Sequence, residues 1–224
     1  MPGKQNRLMV TAQNLKSSLQ LGLAALDLNL NEVQQSQLLA YLNLLEKWNQ
    51  AYNLSGIKDV SKMVSYHLLD SLAIAPFIDG SNILDVGTGA GLPGIPLAIT
   101  FPEKQFLLLD SNGKKTRFLF QVKTELGLDN VEVFHDRVES FQCPRQIDIV
   151  LCRAFAAVGK SIEKTSHILN EHTKLLAMKG QYPDEELAEL PTAFEITKSH
   201  ELTIPGVEGS RHLLEIGRAG NNAN

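Results

Sequence analysis

Apolar positions in the first third of the chain recur at helical spacing. Leu15, Leu19, Leu23, Leu26 and Leu30 fall three or four residues apart and predict one amphipathic helix. Asn31, with Gln34 three residues on, has the form of a capping box. Behind it Leu38, Leu42, Leu45, Trp48 and Tyr52 predict a second helix that stops at "NLSG", near Gly56. A third opens at Asp59 and carries Val60, Met63, Val64, His67, Leu68 and Leu72 towards Pro76. Residues 1–78 therefore read as a small helical layer.

After Gly80 the period changes, and short apolar runs of strand length alternate with helical segments. "NILDVG" reads as a strand, the segment from Gly94 to Ile99 as a helix, "QFLLLD" as a strand, and Lys114 to Leu126 as a helix closed by Gly127. "NVEVFHD" and "IDIVLCRAF" are the next two strands, with a short segment holding Val138 and Glu139 between them. Val158 to Leu169 reads as a helix, "KLLAMKG" as a fifth strand and "DEELAEL" as a short helix. Two extended runs, "AFEITKSHELTI" and "RHLLEIGRA", are joined by the turn-rich "PGVEGS" and predict a closing hairpin. This is an α/β pattern over 79–220, with 221–224 expected to be a disordered tail.

Composition narrows the class. With 224 residues, 43% hydrophobic and 21% charged, the chain can bury one full-sized core. No apolar stretch has the roughly 20 residues of a membrane span, and "MPGKQNRLMVTAQ" lacks the apolar centre of a signal peptide. The expectation is a cytoplasmic protein with no membrane partner. Cys143 and Cys152 stand without a second pair and the six histidines are scattered, so neither a disulfide framework nor a metal site is expected.

The net charge of −4 argues against a large nucleic-acid footprint. Basic residues nevertheless cluster at Lys114, Lys115, Arg117 and Lys123. Such a run permits a polyanionic substrate and is equally compatible with a solvated helix face.

The richest stretch is "ILDVGTGAGLPGIPLAI", Ile83 to Ile99. A nucleotide triphosphate loop would need Gly-Lys-Ser/Thr, and Gly94 is followed by Ile95 and Pro96. A dinucleotide fingerprint spaces its glycines differently; here they fall at 87, 89 and 91, and Pro93 interrupts the turn. What remains is a tight backbone turn flanked by carboxylates, Asp85 and Asp110, at the ends of two strands. S-adenosylmethionine suits that pattern. Gly87 and Gly89 let the chain bend around the amino-acid part of the ligand, and Asp110 can accept from the ribose hydroxyls. Asp110 is also placed to cap the helix after "SNGKK", and Asp85 to brace the loop. Adenine would then lie near Val138 and Glu139.

The chain resembles the bacterial 16S ribosomal RNA guanine-N7 methyltransferases, the RsmG family once called glucose-inhibited division protein B. The resemblance rests on "WNQAYNLSGI", "HLLDSL", "ILDVGTGAGLPGIPLAI", "LLLDSNGKKTRFL", "RVESF", "CRAFA", "MKGQ" and "GSRHLLEI", in that order. It implies a class I S-adenosylmethionine-dependent methyltransferase: a Rossmann-like, seven-stranded sheet with an antiparallel last hairpin, plus the N-terminal helical layer. The implied acceptor is ring nitrogen 7 of guanine 527, in the 530 loop of 16S rRNA, free or within a small-subunit ribosomal particle. By position, the family's cofactor contacts fall on Gly87, Leu92, Val138, Glu139 and Arg153. "SNGKK" departs from the family pattern, with Asn112 where an apolar residue is expected.

The acceptor chemistry can be weighed separately. "CRAFA" is not the Asn/Asp-Pro-Pro-aromatic segment expected of an adenine-amine enzyme. Cys152 or Cys143 would be the nucleophile of a pyrimidine carbon-5 enzyme, although small buried hydrophobes are the simpler reading. A ring nitrogen with a free lone pair needs no general base. Arg153 can touch the cofactor, position the guanine or sit in a structural ion pair, and Phe155 can stack on a flipped base or join the core. His67, Asp70 and Ser71 mimic a hydrolase triad in composition but share one helix face, which suits capping the cofactor pocket better. RNA contact is expected at Lys114, Lys115, Arg117, Arg137, Lys179, Arg211 and Arg218. Two other classes stay open: an RNA-binding assembly factor that has lost activity, and a nicotinamide-dependent oxidoreductase.

Overall fold

The computed structural model describes residues 2–220, with side-chain environments from residue 13 onwards; the tail expected at 221–224 lies outside the described residues. Helices α1 (Pro2–Ala25) and α2 (Glu32–Tyr52) come first. Asn31 caps α2 through a reciprocal capping box with Gln34, and Asn53 ends it in the left-handed conformation. Of the stripe read from the sequence, Leu38, Leu42 and Leu45 are buried, with Tyr41 beside them; Trp48 is half-buried and Tyr52, in the last turn, is exposed.

The third helical segment is interrupted. Asp59 caps α3 (Val60–Met63), a π-helical turn follows over Val64–Leu69, and α4 (Asp70–Leu72) completes it before a 3-10 turn at Ala75–Phe77. His67, within the π turn, and Asp70, just after it, both line the cleft described below.

The sheet then forms from β1 (Asn82–Val86), β2 (Gln105–Asp110), β3 (Val131–His135), β4 (Ile149–Arg153), β5 (Lys174–Lys179), β6 (Phe194–Glu201) and β7 (His212–Arg218). Its order is β3-β2-β1-β4-β5-β7-β6; the first five strands are parallel, and β7 is antiparallel to β5 and β6. Helices α5 (Gly94–Thr100), α6 (Gly113–Leu126), α7 (Val158–Thr165) and the short α8 (Asp184–Leu187) fill the connections. α7 stops four residues short of the apolar pattern, because Leu169 reaches the core from a non-helical turn.

Two cores flank the sheet. On one side Leu19, Leu38, Tyr41, Leu45 and Met63 pack with Ile95, Leu97, Phe118 and Leu119, so the N-terminal helices share one apolar core with α5 and α6. On the other, Val86, Leu107, Val138, Val150, Val158 and Ile162 form a second cluster. The helical layer is also tied to the sheet domain by hydrogen bonds. Gln34 Nε2 donates to the carbonyls of Ile99 and Thr100, satisfying groups that the end of α5 leaves open.

Candidate active site

The order β2-β1-β4 reverses the direction of winding at β1, and ligands of such sheets bind beyond the carboxyl ends of the strands at that switch point. Two adjoining cavities lie there. The larger, about 600 Å³, is lined by the glycine loop, by Leu54 to Ile57, and by His67, Asp70, Arg153, Lys179 and Arg211. The smaller, about 260 Å³, lies between the ends of β1, β2 and β3 and includes Asp110, Arg137, Val138, Glu139 and Phe155. Gly87, Lys115 and Ala154 belong to both walls.

The loop between β1 and α5 is held from below. Gly87 and Thr88 donate their backbone N–H to the carbonyl of Leu109, and Thr88 Oγ1 and the Gly94 N–H donate to Asp85 Oδ2 at 2.7 and 2.8 Å. Gly87 and Gly89 both take φ of +65°. A side chain at 87 would meet the Phe155 ring at 2.4 Å, whereas around Gly89 the nearest atoms lie 3.9 Å away. The loop is thus closed on one flank and open on the other.

Asp85 is buried, and its Oδ1 has no partner among the described residues. Burial pushes its carboxyl up to about 6, against the hydrogen bonds from Thr88 and Gly94 and the nearby Arg153 charge, which favour the ionised form. Asp110 accepts the Gly89 N–H through Oδ2 and the Asn112 N–H through Oδ1, with Lys115 Nζ at 3.5 Å. It does not cap α6. That role falls to Asn112, whose side chain accepts from the Lys114 N–H, so the departure in "SNGKK" supplies the cap.

Leu92 is buried in the wall of the larger cavity, and Val138 in that of the smaller. Glu139 is half-exposed and forms an ion pair with Lys164, which also lies over the Phe155 ring. Phe155 packs on Gly87 and the second core instead of projecting into the larger cavity. Ala154, at φ +49°, gives the turn after β4 that separates Arg153 from Phe155.

Arg153 is in an ion pair that joins three distant segments. Its Nη1 donates to Asp70 Oδ2 at 2.8 Å, and Arg211 Nε donates to Asp70 Oδ1 at 3.0 Å. Spacings of 83 and 141 residues hid this group from sequence reading. The only signal was that Asp70, Arg153 and Arg211 each sit in a quoted motif.

The triad composition dissolves in three dimensions. His67 Nε2 meets Ser55 Oγ at 2.7 Å, Asp70 is taken by the two arginines, and Ser71 Oγ is buried without a partner among the described residues. Burial, with Arg153 nearby, lowers His67 to about 4 and keeps it neutral. Burial also raises the Cys152 thiol far above its ordinary range, and Cys143 lies away from both cavities in a half-buried position. Neither is an activated nucleophile. Among the described residues, no three potential metal ligands gather, and no helix is long and apolar enough to cross a membrane.

The donor set fits S-adenosylmethionine. Gly89 leaves an open cradle on the larger cavity, and Asp110 offers a carboxylate at the end of β2 on the smaller. Fold and site together define a Rossmann-like methyltransferase of class I. Among solved structures, the fold is similar to a SAM dependent methyltransferase from Aquifex aeolicus (TM-score 0.55, 17% identity, 73% of this chain and 96% of that one). It is also similar to TrmK of M. capricolum in complex with S-adenosyl-homocysteine (TM-score 0.52, 15% identity, 66% and 67%).

Residues 34–214 match the family described as GidB, rRNA small subunit methyltransferase G, and the chain belongs to that family. Proteins named ribosomal RNA small subunit methyltransferase G are 54% identical in Marinobacter nauticus, over 88% of this chain and 92% of theirs. In Pseudomonas syringae pv. syringae the identity is 51%, over 94% and 98%.

Proposed function

We propose that the protein transfers a methyl group from S-adenosylmethionine to N7 of guanine 527 in the 530 loop of 16S rRNA. Family membership supports small-subunit rRNA as the substrate. The choice of guanine N7 follows the family resemblance, and the observation that agrees with it is the state of three ionisable groups in and beside the larger cavity. His67 is neutral and committed to Ser55, Asp70 is held by two guanidiniums, and the buried thiol of Cys152 stays protonated. None of these three is a ready base for an acceptor that must lose a proton; His212, also on the cavity wall, packs edge-on against the Tyr182 ring.

Guanine N7 suits this set, because the lone pair attacks the methyl carbon as the carbon–sulfur bond breaks, with no proton to remove. The positive charge passes from sulfur to the base. The cofactor supplies the activated methyl group; the protein supplies orientation and exclusion of water. In this reading Gly87, Gly89 and Leu92 shape the cofactor's bed, Asp110 takes the ribose hydroxyls, and Val138 and Glu139 border the adenine. Arg153 stands where cofactor and acceptor meet. The target base enters the larger cavity splayed from its stack.

The test is transfer of tritium from labelled S-adenosylmethionine to 16S rRNA, or to 30S subunits, from cells lacking this methylation. Label in guanine N7 is expected. Unlabelled RNA with both substrates, or label on another atom, would overturn the proposal.

A further inference from the structure

The larger cavity carries a local excess of positive charge in a chain whose net charge is −4. Its wall includes four cationic side chains, Lys115, Arg153, Lys179 and Arg211, and one carboxylate, Asp70. Lys115 faces Asp110 and Lys179 is tied to Glu186 at 2.7 Å, so each has its own acid. Arg153 and Arg211 share a single one. Counted by ion pairs, this part of the wall holds one guanidinium more than it has carboxylates.

The hydrogen-bonding capacity is equally lopsided. Asp70 uses one oxygen for each guanidinium, and Arg211 Nη1 donates to the Ser210 carbonyl. Arg211 Nη2 and, on Arg153, Nε and Nη2 have no acceptor among the described residues. Asp70 is buried, while the two arginine side chains keep 21% and 25% exposure. A buried carboxylate thus fixes two forks from behind, with the remaining donors at the cavity surface.

We propose that Arg211 is a receptor for a phosphate of the target strand, beside the base to be methylated, and that Asp70 is the positioning residue that holds it, while Arg153, on the other oxygen of Asp70, is left to the cofactor side. This rests on the acceptor being RNA. A bidentate arginine contact with N7 and O6 of guanine would occupy the reacting lone pair, so the open donors serve the backbone. One carboxylate of α4 thus ties the cofactor side, through β4, to the phosphate side, through the turn before β7.

The test is binding of 16S rRNA from cells lacking this methylation, measured by filter retention between about 50 and 200 mM salt. Arg211→Gln is expected to weaken binding about tenfold and to reduce the salt slope by about one, with affinity for S-adenosylhomocysteine unchanged and a lower urea midpoint that still leaves the protein folded in the assay. Arg211→Lys should restore the slope and only part of the affinity. Asp70→Asn adds net positive charge and yet should bind RNA more weakly, the opposite of a general electrostatic effect. Arg145→Gln, which removes a cation from outside both cavities, should leave the slope unchanged.

An unchanged slope for Arg211→Gln, tighter binding by Asp70→Asn, or an equal loss of S-adenosylhomocysteine binding would overturn the receptor. Because the readout is binding, absence of N7 methylation by the wild-type protein would count against the proposed function alone.

Discussion

Tyr41 Oη donates to the carbonyl of Ala90 at 2.8 Å, where both residues are buried. A side chain of α2 thereby fixes the middle of the glycine loop, and burial raises its phenol far above the ordinary range, so it remains a donor. The N-terminal helices are part of the cofactor site's foundation.

Tyr41→Phe should leave that carbonyl without its partner and cost about 1–3 kcal/mol of stability. Urea unfolding would show this as a lower midpoint with an unchanged slope. Affinity for S-adenosylhomocysteine, measured by calorimetry, should fall as well. A stable variant with normal affinity would show that the loop does not depend on this bond.

Gly87→Val places a branched side chain against Phe155 and at a φ that β-branched residues strongly disfavour. The expectation is loss of cofactor binding together with a lower melting temperature. Adding Phe155→Ala should recover part of the stability, since it removes the clash and leaves the strain, without recovering binding. Full recovery of both would assign the whole effect to the ring.

Asp110→Ala removes the carboxylate that holds the Gly89 N–H and is proposed to take the ribose hydroxyls. Cofactor affinity should weaken by about 1–3 kcal/mol, read as the change in dissociation constant. An unaltered constant would reduce Asp110 to a brace for Gly89 and Asn112.

Asp85 gives a pH dependence. Its carboxyl is raised from 3.8 to about 6 in the folded protein, chiefly by burial. A raised acid contributes stability that is full below the unfolded value and is lost as pH rises through the folded value. Two units correspond to about 3 kcal/mol. Asp85→Asn can keep an acceptor for Thr88 and Gly94 while losing the charge. Its stability relative to wild type should therefore grow by about that amount between pH 4 and pH 7. Urea midpoints in half-unit steps would check this; a constant difference would mean that Asp85 does not titrate in this window.

Much of this fold was legible because its signals are local. The capping box at Asn31, the stripe on α2, the strand-length runs and the closing hairpin each depend on neighbours within a few residues. The glycine turn was legible for the same reason. The π turn at Val64–Leu69 was not, since one inserted residue leaves the apolar spacing close to that of an ordinary helix. Asp70 was legible as a residue at the pocket, but its pairing was not, since its two arginines arrive only when three segments meet at the end of the sheet. Glu139 met a partner the sequence did not suggest, Lys164, brought to it by α7.

The central claim is methylation of one ring nitrogen at one site. Its most direct test is borohydride and aniline treatment of 16S rRNA from cells with and without the gene, which cleaves the chain at guanines alkylated on N7. The account predicts a cleavage at guanine 527 that disappears when the gene is deleted and returns when it is restored. A cleavage that persists without the gene, or that is absent from the wild type, would contradict it.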